Sequence, residues 1–278
     1  MNKPIISFLM CVRVRTDLNN PKTRDIYKFF RDGIIEITEK DREKVEFLIK
    51  FDEDDDQAKK IINRFKDFPL KIKFFFFARG EGMYFAHYNY SYLLARINPN
   101  SKYVCFCGDD SIIQHFSRGG NIEELINNKQ KYVFYSPRNY VLDLKNYISF
   151  TNFNNNAIDV INNKVCEPYP LLSKNILEIC GMGFHHNIDS WFALLNTYLI
   201  TEFKISILKK LPSQHLLRDN TQKEDIINNS FVIPEGGYRS KFNIDLLNLK
   251  YYLILAKQQA FNIFLNIEKE GLLNEYAI

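Results

Sequence analysis

Short apolar runs alternate with helically spaced segments over the first part of the chain, and that alternation sets the expected architecture. Ile5 to Val14, Val45 to Phe51, Lys71 to Phe77 and Tyr103 to Cys107 are rich in β-branched and aromatic residues and read as strands. Between them, Thr23 to Lys40 contains an amphipathic helix with Ile26, Phe29, Phe30 and Ile34 at helical spacing, and Gln57 to Phe65 forms a second. Met83 to Ile97 predicts a third helix, apolar nearly all round and therefore expected between the sheet and later elements. Strands separated by helices imply a parallel sheet, and ligands on such sheets bind beyond the carboxyl ends of the strands. Asp52, Arg79 and the pair Asp109-Asp110 all follow predicted strand ends, so one rim is expected to gather them.

Past that point the alternation becomes irregular. Asn121 to Asn128 predicts a helix, Lys131 to Ser136 a strand, and Phe150 to Asn163 is polar and rich in Asn. Leu171 to Ile179 and Ser190 to Leu199 predict helices, Phe203 to Leu208 a short strand, and Asn243 to Glu270 a helical region broken too often by polar residues to span a membrane. Arg218 to Lys223 lacks apolar anchors and reads as part of a lid that orders on ligand binding. The expected division is a main domain over residues 1–230 and a helical extension over 231–278 packed on it.

Composition narrows the classes. The 278 residues, 46% hydrophobic and 25% charged, are ordinary for a globular protein. A net charge of +4, from 37 basic and 33 acidic side chains, is too mild for a nucleic-acid surface. The five cysteines are odd in number and lack paired C-x-x-C spacing, so they read as core residues in a reducing compartment. A short apolar run with Arg13 and Arg15 behind it fits neither a signal peptide nor a spanning helix, which makes the cytoplasm the expected location.

The candidate chemistry begins at Gly108-Asp109-Asp110, where a buried strand ends on two adjacent carboxylates. Hard oxygen ligands suit Mg²⁺ or Mn²⁺, and such an ion suits a diphosphate. Asp52 opens an acidic stretch before a helix, a place where negative charge is favoured by the helix dipole alone. Both a ligand contact and a capping role are open to it. Asp189 before Ser190-Trp191-Phe192 has the form of a helix cap. Of the adjacent His185 and His186, at most one is expected to face the site, where metal binding, acceptor binding and no role all stay open, while the isolated His87 and His115 are read as structural.

In order and spacing these pieces resemble the GT-A fold glycosyltransferases, most closely the family-2 type, over residues 4 to 215. The resemblance covers an opening strand and loop at Ser7 to Arg13, the acid Asp52 at the end of the second strand, and a Gly-then-Asn helix matched by Gly82, Ala86, Asn89 and Ala95. A D-x-D metal motif falls on Gly108-Asp109-Asp110, with Gly in place of the first acid. It implies an α/β fold with a mostly parallel central sheet flanked by helices and a helical C-terminal extension. It also implies a metal-dependent, inverting transfer of a sugar from a nucleotide-diphosphate donor to a glycan or glycolipid hydroxyl. On this reading Asp110 and His215 hold Mn²⁺ or Mg²⁺, Asp109 reaches the ion or the ribose, and Asp52 meets a uracil or guanine edge. Asp189 is the general base, and Arg13 and Arg79 face phosphate. A nucleotidylyltransferase and a non-catalytic nucleotide-sugar-binding domain are the alternatives. The aromatic C-terminal helices leave three uses open: an ordinary cover, a homodimer contact, or a peripheral membrane and glycolipid surface.

Overall fold

The computed structural model describes residues 5–12, 27, 39–78, 85–107, 111–113, 121–136, 171–180, 188–210, 217–219 and 246–278. In chain order the elements are β1 (Ile6–Val12), α1 (Glu39–Arg42), β2 (Val45–Asp52), α2 (Asp56–Ile62, continued by a 3₁₀ turn Asn63–Phe65), β3 (Lys71–Phe77), α3 (Phe85–Leu94) and β4 (Tyr103–Cys107). Then follow β5 (Ser111–Ile113), α4 (Asn121–Asn127), β6 (Phe134–Ser136), β7 (Leu171–Ser173), α5 (Lys174–Cys180), α6 (Ile188–Phe203), β8 (Leu208–Lys210), β9 (Leu217–Asp219), α7 (Leu246–Lys269) and α8 (Leu273–Tyr276).

Seven strands form one sheet in the order β3-β2-β1-β4-β7-β6-β8, and only β7 runs against the others. Helices cover both faces, so the strands are buried on both sides and are written in near-continuous apolar runs. β2 is buried at every position. This is the mostly parallel, helix-flanked architecture that the resemblance implies. β5 and β9 form a separate antiparallel pair, with Ser111 level with Asp219 and Ile113 level with Leu217.

The strand period of two sorts the core into two layers. Ile6, Phe8, Met10, Val45, Phe47, Ile49, Phe51 and Cys105 face Ala58 and Ile61 of α2 and Ile122 and Leu125 of α4. Leu9, Leu48, Val104 and Phe106 belong to the opposite layer with Leu93 of α3, Ile176 of α5, Trp191 and Phe192 of α6 and Ala256, Ala260, Ile263 and Ile267 of α7. The C-terminal helix is thus part of the main core. Its end is clasped: Tyr132 N donates to Tyr276 Oη at 3.0 Å, Ser206 N to the Tyr276 carbonyl at 2.8 Å, and Ile205 bridges Ala277.

Two expectations change. Leu171 to Ser173 is a strand rather than the start of a helix, because Leu171 and Leu172 feed opposite core layers, as period two requires. Phe203 ends α6 instead of opening a strand, stacked on Phe264 at 5.0 Å, and the strand begins only at Leu208. The polar stretch expected as a lid contributes Arg218 and Asp219 to β9.

Candidate functional site

Parallel register brings the carboxyl ends of β1 to β4 side by side. Val12 is level with Phe51, Met10 with Cys107, and Asp52 with Phe77. Asp52 therefore closes β2 on the rim where a ligand is expected. It is only 5% exposed, and its carboxylate forms an ion pair with Lys50, two residues earlier on the same strand face. The Lys50 ammonium also lies 4.7 Å from the centroid of the Phe77 ring, which stacks on Tyr92 of α3 at 3.6 Å. The acid is thus paired with a buried cation.

The capping alternative for Asp52 falls to a neighbour. The α2 N-cap is Asp55, whose carboxylate accepts from Ala58 N at 3.0 Å. Asp189 is the second residue of α6, inside its first turn, where a helix dipole favours negative charge. Arg13, Arg79, Asp109, Asp110 and His215 lie outside the described residues. The segments that follow two of them meet, since Ser111, next after Asp110, pairs with Asp219 on the strand that begins two residues after His215. Among the described residues no group of three or more His, Cys, Asp or Glu gathers as a metal site.

Two rim residues were not assigned a role by sequence reasoning. Lys50 reads as an ordinary strand lysine, and nothing in its spacing announces full burial. Asn89 entered only as a motif match, yet it is completely buried on α3 with neither amide atom partnered. A buried polar side chain without a partner is uncommon enough to require an explanation.

The opposite end of the sheet is polar for structural reasons. Ser7 Oγ donates to Glu46 Oε1 at 2.7 Å, Asn98 N donates to the same oxygen at 2.6 Å, and Lys73 Nζ lies 3.0 Å from Oε2. Glu46 thereby ties β1, β2, β3 and the loop before β4 together. A hollow of about 330 Å³ between the end of α3 and α5, lined by Ile97, Pro99, Lys174 and Glu178 among others, opens at this end, away from the rim.

No protein-family model matches the chain, and no curated protein sequence matches it. Solved structures similar to it include a mannosyltransferase of Pyrobaculum calidifontis in complex with GDP-Man and Mn²⁺, at 11% identity and a TM-score of 0.48 over 96% of this chain and 76% of that one. Glucosyl-3-phosphoglycerate synthase of Mycobacterium tuberculosis, in complex with Mn²⁺, UDP and phosphoglyceric acid, has 12% identity and a TM-score of 0.45 over 82% and 74%. A 4-diphosphocytidyl-2C-methyl-D-erythritol synthase of Anaerococcus prevotii has 14% identity and a TM-score of 0.41 over 83% and 97%.

Proposed function

We propose that this protein is a glycosyltransferase that moves a sugar from a nucleotide-diphosphate donor to a hydroxyl of a glycan or glycolipid, with inversion. The observation that supports it best is the parallel register of β1 to β4. It brings the carboxyl ends of β1 to β4 side by side, and in sequence Arg13, Asp52, Arg79 and Asp109-Asp110 stand at or just after those ends.

Sugar transfer requires the acceptor hydroxyl to lose its proton as it attacks and the leaving diphosphate to be stabilised. Asp189 takes the first role as general base, from the dipole-favoured first turn of α6. Arg13 and Arg79 meet the phosphates, and Asp52 the nucleobase. Carboxylate oxygens of Asp109 and Asp110 with the imidazole of His215 are a donor set suited to Mn²⁺ or Mg²⁺. When bound, such an ion supplies Lewis-acid stabilisation of the diphosphate. The pairing of β5 with β9 supports a shared role for the segments carrying Asp110 and His215.

The test is thermal stabilisation by UDP-, GDP-, dTDP- and CMP-sugars with and without Mn²⁺. A donor at about 100 times its dissociation constant adds about 2.7 kcal/mol. Stabilisation by one class, dependent on Mn²⁺ and lost in a folded Asp110→Ala variant, is expected. No response to any donor would overturn the reading, and release of pyrophosphate from a nucleoside triphosphate would replace it with nucleotidyl transfer. Asp189→Asn should lower turnover by about 10² to 10⁴ with donor affinity unchanged.

A further inference from the structure

α7 is apolar on two opposite faces, although a helix at a protein surface needs only one. Ala256, Ala260, Ile263 and Ile267 are fully buried in the layer shared with α6. Ile254, Phe261 and Leu265 are 66%, 43% and 38% exposed. At about 100° per residue these three fall within about 40° of one another around the helix axis, on the side opposite the buried four. Apart from Ile278, they are the large hydrophobic side chains left exposed among the described residues, and they form one stripe.

The stripe has an ordered border. The Phe203 ring at the end of α6 stacks on Phe264 at 5.0 Å and tilts against Phe261 at 5.8 Å, and Lys257 Nζ lies 2.6 Å from Glu202 Oε2. Side chains already held in place lose little freedom when a partner covers them. The exposed charges beside the stripe are Lys257, Glu202, Glu268 and Lys269, which cancel. An anionic lipid surface calls for a border of Lys and Arg, so this one does not suit it.

The spacing fits a second copy of the same helix. An antiparallel pairing about a twofold axis between Gln258 and Phe261 sets Ile254 level with Leu265 of the second copy, and Leu265 level with its Ile254. Position 250, a lysine, stands about five full turns before Glu268 and so on the same line along α7. The same axis makes that position level with Glu268 of the second copy, so that charge matches where the apolar residues end. We propose that the outer face of α7 is a homodimer interface, closed by antiparallel pairing with α7 of a second copy of this chain. Such an isologous contact repeats every pairing twice. One helix face covers less than the about 800 Å² per partner of a standard interface, so the dimer is weak and forms with concentration.

The experiment is sedimentation velocity of the full chain over about a hundredfold range of concentration, alone and with vesicles of phosphatidylglycerol and phosphatidylcholine. Wild type should move with concentration from the mass of one chain towards twice that mass, with or without vesicles. Ile254→Lys, at the most exposed position of the stripe, should raise the dissociation constant at least about tenfold. It takes no part in the Phe203 stack and so serves as the second variant where Phe261→Glu disturbs the fold. Glu268→Lys sets like charges together in both halves of the contact and should weaken the dimer about fivefold, and adding Lys250→Glu should restore it. A monomer at every concentration overturns the proposal, as does a dimer that Ile254→Lys leaves unchanged. Vesicle binding by a protein that stays monomeric overturns it in favour of a lipid surface. A charge swap that fails to restore the dimer overturns the antiparallel pairing.

Discussion

At Lys50 an ammonium occupies a place that leucine-type packing would fill, and its worth should show in double-variant energetics. Removing one member of a buried ion pair leaves the other charge uncompensated, so Lys50→Met alone should cost about 3 to 5 kcal/mol. Adding Asp52→Asn should recover most of that loss. Urea denaturation of the three proteins checks this, and additive losses would mean that the two groups do not act as a pair. Asn89→Leu should run the other way. Its amide atoms have no partner to lose, so an apolar side chain of similar size should stabilise by about 1 kcal/mol. Asp55→Ala should cost about 1 kcal/mol by freeing Ala58 N–H, while Asp52→Asn leaves that cap untouched.

At the scale of elements, β1 to β4 were legible because parallel strands buried on both faces are written as apolar runs closed by turn residues, and α2 and α3 because of their helical spacing. Asp52 was legible for the same reason, as the first acid after such a run. β7 was not. Leu171 and Leu172 suit a helix as well as a strand, and the pairing with β4 that decides between them lies far away in sequence. The three-residue ladder of β5 and β9 is also a non-local fact that no local pattern carries. Lys50 was hidden because Phe47-Leu48-Ile49-Lys50-Phe51-Asp52 is indistinguishable from a strand whose lysine reaches solvent. The sheet and α6 meet at Phe192, fully buried, with its ring 6.0 Å from Phe106 and 5.9 Å from Phe134. Phe192→Ala should therefore cost about 3 to 5 kcal/mol, read as a lower denaturation midpoint with an unchanged slope.

For the whole molecule, the alkaline limb of stability has identifiable sources. Burial pushes the Cys180 thiol from 9.0 up to about 12 and the Tyr198 hydroxyl from 10.0 up to about 12, the latter helped by the charge of Glu202. Both groups bind their protons more tightly in the folded chain than in the unfolded one. Their contribution is complete below pH 9 and is lost as pH rises towards about 12. Urea midpoints should accordingly fall between pH 9 and 11, and Cys180→Ala should flatten the part of the fall that begins near pH 9. No helix among the described residues is long and apolar enough to cross a membrane. The clasp at Tyr276 bears on how the chain comes off the ribosome. β1 to β4 and the layer under α2 and α4 are translated early and find their partners nearby. The apolar face of α6, with Trp191, Leu195 and Leu199, must wait for Ala256, Ala260 and Ile263, which are made some sixty residues later. During that interval the nascent protein shows a greasy surface that the finished one conceals, and chaperone demand should peak there.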